Sequence, residues 1–175
     1  QEKKVHLISF KDFDSQQLPQ FKAANFSDFY QFQIQPNMVF DIQPHWLSME
    51  DYVTDLTKKY RDQYKRAQKK AIDIEKRKLD FKEISSLETT IYELYLHVAK
   101  NAPFNTFFLA KNHFSTMKKQ CQNQFLLFGY FLNGKLVGFH TILSNGSVLE
   151  TYFLGYDSQV QKENMLYLNM LYNMT

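Results

Sequence analysis

Residues 124–157 read QFLLFGYFLNGKLVGFHTILSNGSVLETYFLGYD, in which runs of β-favouring residues are cut twice by Asn-Gly, at Asn133-Gly134 and Asn145-Gly146. Asn-Gly supplies the positive φ that a two-residue hairpin turn needs, so the pattern predicts a three-stranded antiparallel meander over 125–156. Two-residue loops also predict a register. Leu132 would face Lys135, and Ser144 would face Ser147. Continued outward, this sets Thr141 beside Leu126 and Glu150, and His140 beside Leu127 and Thr151. Side chains alternate along a strand. One face would then hold Leu127, Phe131, His140 and Phe153, and the other Tyr130, Phe139, Thr141, Glu150 and Tyr156. Both faces are mostly apolar, so helices from elsewhere in the chain must cover both.

Outside the meander, 5–10, 25–33 and 37–43 read as strands, with a loop or frayed turn over 11–24. Ser48 and Asp51 match a capping box and open a helix over 49–70, with Tyr52, Val53, Leu56, Tyr60, Tyr64 and Ala67 at helical spacing. Residues 72–79 alternate and read as a strand. A second box, Ser85 with Glu88, opens a helix over 86–100, and 105–120 read as one broken or short helix. A last helix follows the cap Asp157-Ser158, outlined by Met165, Leu168, Leu171 and Tyr172. The first residue is Gln, and the final YLNMLYNMT reads as a helix cut in mid-run, so a fragment is expected.

Composition narrows this picture. With 44% hydrophobic residues, 17 Phe and 11 Tyr, the 175 residues can bury a core, which argues against disorder. No apolar run approaches the roughly 18–20 residues of a membrane span. A single cysteine, Cys121, allows no internal disulfide and fits a reducing compartment, so a cytoplasmic location is expected. No His, Cys, Asp and Glu cluster has metal-ligand spacing, and no metal is expected. Charge is uneven. Residues 58–70 hold seven of the 21 Lys and Arg but one of the 18 acidic residues, leaving 14 and 17 elsewhere. Lys58, Arg61 and Lys65 form one stripe, readable as a solvated face, as a phosphate-binding face or as a face for an anionic membrane surface.

The order of helix, strand, helices, meander and helix resembles the GNAT acyltransferase superfamily, an α+β fold. It is most similar to the Fem-like branch of aminoacyl and peptidyl transferases in cell-wall synthesis. The resemblance rests on WLS leading into 50–70, on LETTIYELYLHVAK (87–100), on FGYFLNGKLVGF (128–139), and on YFLGYD with the Tyr-rich stretch up to 172. It implies a GNAT-like domain over 44–175, lacking the segments that follow the last helix, with 1–43 as the end of a preceding half-domain. It also implies transfer of an acyl or aminoacyl group to an amine, such as a peptidoglycan-precursor-like acceptor. The alternative is a non-catalytic module of the same fold that holds a nucleic acid or a protein.

Where GNAT enzymes grip coenzyme A with a glycine-rich loop, this chain has DSQVQKEN (157–164), without glycine or arginine. Acetyl-CoA is therefore less expected as donor than an aminoacyl-tRNA or another acyl carrier. By the resemblance, main-chain groups of Phe153, Leu154 and Gly155 hold the donor. Gly155 permits either a bulge or a close approach. Glu150 is a candidate base, with pairing to Thr141 as the alternative, and Tyr156 a candidate for orienting or protonating the leaving group. Asp157 reads as a helix cap, and His140 as a satisfied core residue or a base.

Overall fold

The computed structural model describes residues 8, 10, 16–23, 29–32, 38–102, 105 and 107–174. The chain divides into two compact units, 1–42 and 43–175.

In the first unit a short helix, α1 (Leu18–Ala23), is formed, and the rings of Phe10 and Phe29 lie 5.5 Å apart. The strands read at 5–10 and 25–33 lie mostly outside the described residues, and Ile8, Phe10 and 29–32 are not in strands. The strand read at 37–43 is corrected, because 38–43 form no ladder. Its apolar side chains stay in solvent, Met38 at 98% and Val39 at 80% exposure, so burial does not reward pairing.

The second unit is a mixed α+β structure. It carries a four-stranded antiparallel sheet, β1 (Ile74–Lys78), β2 (Phe125–Leu132), β3 (Lys135–Asn145) and β4 (Val148–Tyr156), in that spatial order. Helices flank both faces. The helices of this unit are α2 (Met49–Asp55), α3 (Lys58–Lys70), α4 (Phe81–Ser86), α5 (Glu88–Ala99), α6 (His113–Cys121), α7 (Ser158–Asn164) and α8 (Leu166–Tyr172).

The helix read over 49–70 breaks at Leu56, whose ψ of 144 leaves the helical region. Three bonds hold the end of α2 in place of continued helix. The Asp55 carboxylate accepts from Trp46 Nε1 (2.7 Å) and His45 Nε2 (2.6 Å), and the Arg61 guanidinium donates to the Thr54 carbonyl (3.0 Å). Ser48 caps α2 as read. The second cap is corrected. Asp80 and Glu83, one strand-end earlier, form the reciprocal box that opens α4, while the Glu88 carboxylate accepts from the Ser115 hydroxyl. The last helix is also broken, at Met165 with φ 52, into α7 and α8.

The first hairpin turn is as read, with positive φ at Asn133 and Gly134. At the second turn Asn145 pairs with Val148, so Gly146 and Ser147 make the loop. Gly146 carries the positive φ (60) at the first loop position, which is the arrangement of a type II′ turn. A further irregularity follows Leu136, where Val137 is extra and Gly138 pairs with Tyr130. A bulge moves every later residue one place in register, so it inverts faces. Phe139 therefore joins Phe125, Leu127 and Phe131 on the face covered by α4, α5 and α6. His140 lies on the other face, with Tyr130. There Tyr130, Leu166 and Met170 form a second core. α3 packs on α8, its Tyr64 ring 5.1 Å from Tyr172.

Candidate functional site on the edge of strand β4

β4 is an edge strand, and its middle is bulged. His140 pairs with Leu154 and Ile142 with Thr151, so Thr141 alone faces Tyr152 and Phe153. The buried Thr141 hydroxyl fills the gap. It accepts from the Phe153 N–H (2.8 Å) and donates to the Phe153 carbonyl (2.7 Å). A hydroxyl can do both at once because it carries one proton and two lone pairs. This ties the main-chain groups of Phe153 to β3. Alternation along the strand then turns the N–H and C=O of Leu154 to the open edge and those of Gly155 back toward β3.

A cavity of about 300 Å³ lies beside this edge. Tyr152, Phe153 and Leu154 form one wall, Tyr95, Val98 and Ala99 of α5 another, and Phe107 lies across it. The segment over the cavity is tied down by Asn105 Nδ2 to the Ala99 carbonyl (3.3 Å) and by the Leu109 N–H to Tyr95 Oη (3.2 Å). The Tyr95 and Phe153 rings meet perpendicularly at 5.7 Å. Tyr152 Oη is 3.2 Å from Nε2 of His113, the first residue of α6. Burial holds His113 below its usual pKa of 6.5 and raises that of Tyr152.

A second, more open cavity of about 430 Å³ lies past the end of β4, between His97, Lys100 and Asn101 and the start of α7. Asp157 caps α7 as read, accepting from the Gln159 (2.8 Å) and Val160 (3.0 Å) amides. Its own N–H donates to the Val137 carbonyl (2.8 Å), which fixes the direction in which the chain leaves the sheet.

The residues singled out from sequence are dispersed. Phe153 and Leu154 line the cavity. Gly155 is buried beneath the α5 backbone. Glu150 is exposed, pairs with Leu143 and not with Thr141, and accepts from Asn145 Nδ2 (3.0 Å). It stands six positions from Tyr156, about 20 Å along an extended strand, so the two are not brought together. The Tyr156 ring is half-buried with the Tyr130 and Leu166 core, 5.7 Å from Tyr167, on the face away from α5. Lys58 and Lys65 are exposed on α3, and Arg61 is turned to the end of α2. His140 is buried, stacked on Phe128, with Nδ1 3.0 Å from Tyr130 Oη. Its pKa is lowered to about 3 by burial and by Lys76.

Sequence reasoning missed Thr141, Tyr152 and His113 as parts of a site. Tyr152 and His113 stand 39 positions apart, and only the bulge that turns Tyr152 toward α6 joins them. Among the described residues no group of three His, Cys, Asp or Glu could hold a metal ion, and no helix is long and apolar enough to cross a membrane.

No protein-family model matches the chain, and no curated protein matches it. Among solved structures it is similar to an aminoglycoside acetyltransferase from an uncultured soil metagenomic sample, determined in complex with sisomicin and again with trehalose. Each likeness has 18% identity and a TM-score of 0.36, and covers 58% of this chain and 71% of that one.

Proposed function

We propose that this chain is an N-acyltransferase that holds the donor carbonyl against the β4 edge and an amine acceptor in the adjoining cavity. The observation that carries the reading is the Thr141-bridged bulge, which turns the Leu154 N–H toward the edge beside an apolar cavity. A fixed N–H aimed at the developing oxyanion is the main requirement of acyl transfer. The strand is also the one to which the GNAT resemblance assigns donor binding.

The finer reading is a Fem-like enzyme whose donor is an aminoacyl-tRNA or another carrier, and not coenzyme A. A pyrophosphate needs free amides at a helix start and no negative charge beside them. Here the Asp157 carboxylate already accepts from two amides of the first turn of α7. The Lys58, Arg61 and Lys65 stripe on α3 would meet the phosphates of such a carrier. That stripe also favours a second reading, a polyanion-binding module without catalysis.

Amide formation on n-butylamine, followed by mass spectrometry, separates these readings. The donors are acetyl-CoA, S-acetyl-N-acetylcysteamine and alanyl-tRNA. The short thioester or alanyl-tRNA is expected to exceed acetyl-CoA in kcat/KM by at least about tenfold, which is ~1.4 kcal/mol. Tight stoichiometric coenzyme A binding in calorimetry would overturn the donor assignment, and no amide from any donor would overturn the enzyme. Replacing Lys58, Arg61 and Lys65 together by Gln should flatten the salt dependence of tRNA binding by a slope of roughly 0.7–0.9 per lost contact. Unchanged affinity with an unchanged melt assigns the stripe to solvation.

A further inference from the structure

The donor-binding edge of β4 does not by itself account for the proton that an attacking amine must lose. Glu150 and Tyr156, the polar candidates read from sequence, lie one at the far end of the strand and one on the opposite sheet face. A different pair stands at the bulge. Tyr152 lines the same cavity as Leu154, and its hydroxyl is 3.2 Å from His113 Nε2. Both rings are held. His113 lies against the Phe114 and Phe153 rings at 5.3 and 6.1 Å, and Tyr152 against Phe153 at 4.5 Å. Neither side chain is fully buried, so a substrate in the cavity can reach the phenol.

Resting on the acyltransferase reading, we propose that Tyr152 is the catalytic residue that takes the proton from the attacking amine, and that His113 is the positioning residue that receives the phenol's own proton. The amine nitrogen attacks the donor carbonyl carbon. A C–N bond forms, and the carbonyl π pair moves onto oxygen, facing the Leu154 N–H. The resulting ammonium gives one proton to Tyr152 Oη as the phenol proton passes to His113 Nε2. When the intermediate collapses, the bond to the leaving group breaks with its electron pair. The proton on His113 returns through Tyr152 to that group. The products are an amide and the protonated carrier, and both side chains regain their starting states.

The relay requires a neutral imidazole. Burial lowers the His113 pKa, so the neutral form persists below pH 6.5. The titratable groups that act on Tyr152 are Cys121 and Tyr95, neither of them cationic, and burial alone acts on His113.

The test is a pH–rate profile of n-butylamine acylation with S-acetyl-N-acetylcysteamine, for the intact chain and for Tyr152→Phe and His113→Gln. The intact chain should lose kcat on an acid limb centred below pH 6.5. Tyr152→Phe should lower kcat by about 100-fold with KM little changed, within the range typical of general acid–base residues. His113→Gln should lower kcat and remove the acid limb. An active Tyr152→Phe chain with the original limb would overturn the proposal while leaving the acyltransferase reading intact. Should the intact chain make no amide, that reading fails, and NMR decides separately on the pair. Tyr152→Phe should then shift the titration of the His113 ring. A titration unmoved by that change would show that the two groups are not coupled.

Discussion

Replacing Gly155 by alanine is expected to lower the melting temperature by roughly 6–12 °C, from a loss of about 3 kcal/mol at 2–4 °C per kcal/mol for a chain of this size. A Cβ at this position would lie 2.5 Å from the Leu94 carbonyl carbon, the Tyr95 nitrogen and Phe139 Cε1. Two of these three are backbone atoms of α5, which cannot step aside without moving the helix. Gly138 provides the contrast. A Cβ there would meet Leu166 Cδ2 at 3.0 Å and Met170 Sδ at 3.3 Å, both ends of flexible side chains. Gly138→Ala should therefore cost no more than about 1 kcal/mol, since a small overpacking that side chains can absorb falls at the low end of its class. Thermal melts of the two variants beside the intact chain measure the difference. Equal melts would mean that α5 does not sit on β4 as described. The reading of Gly155 as either a bulge or a close approach is thus resolved toward close approach, and the bulge lies two residues earlier.

Lowering the pH from 6.5 to about 3 is expected to remove roughly 4–5 kcal/mol of stability through His140 alone. The folded protein keeps this imidazole neutral, with its pKa lowered to about 3, while the unfolded chain titrates near 6.5. Between those values the unfolded state binds more protons, so stability rises with pH there, by about 1.4 kcal/mol per pH unit. The contribution is fully present above 6.5 and is lost as pH falls through that window. The cause is burial first and the nearby Lys76 second. Lys76 is itself held by the Asn173 carbonyl (3.3 Å) and Oδ1 (3.1 Å) and lies over the Phe128 ring. Among the described residues His140 Nε2 has no hydrogen-bond partner, so none of them offsets a proton on that side. His140→Phe keeps the stacking on Phe128 and removes the titration. It also takes a partner from the Tyr130 hydroxyl, at about 1–2 kcal/mol near neutral pH. Urea unfolding at pH 7, 5.5 and 4 should show the variant less stable at pH 7 and overtaking the intact chain in acid. Parallel pH curves for the two proteins would contradict the account.

The meander was legible because its information is local. Asn133-Gly134 carries its own turn geometry, and the flanking runs are long enough to be strands. The Ser48 and Asp157 caps were legible for the same reason, each satisfied within three residues. What failed was non-local. The extra residue at Val137 has no signature in a strict alternation, apart from Gly138 beside it, and it exchanged Phe139 with His140 across the sheet. The break at Leu56 depends on Asp55 reaching back to His45 and Trp46, which helical periodicity does not encode. The Asp80–Glu83 cap fits the same pattern as Ser85–Glu88, and Ser115 of α6 decides between them by taking the Glu88 carboxylate. At the candidate site, Leu154 was named only as a main-chain donor contact implied by the resemblance; it lines the cavity. Thr141, which sets its direction, was read only as a neighbour of Glu150, because a bulge in β4 depends on which residue of β3 stands opposite.

The most direct measurement on the central reading is the amide resonance of Leu154. A chain labelled with ¹⁵N-leucine is titrated with S-acetyl-N-acetylcysteamine, and the spectrum is compared with that of Thr141→Val, which removes the hydroxyl bridging the bulge. The account predicts that the Leu154 amide moves on addition of the thioester, more than any other leucine. It also predicts that the movement is reduced in Thr141→Val. A Leu154 resonance that stays in place while the thioester is consumed would contradict it.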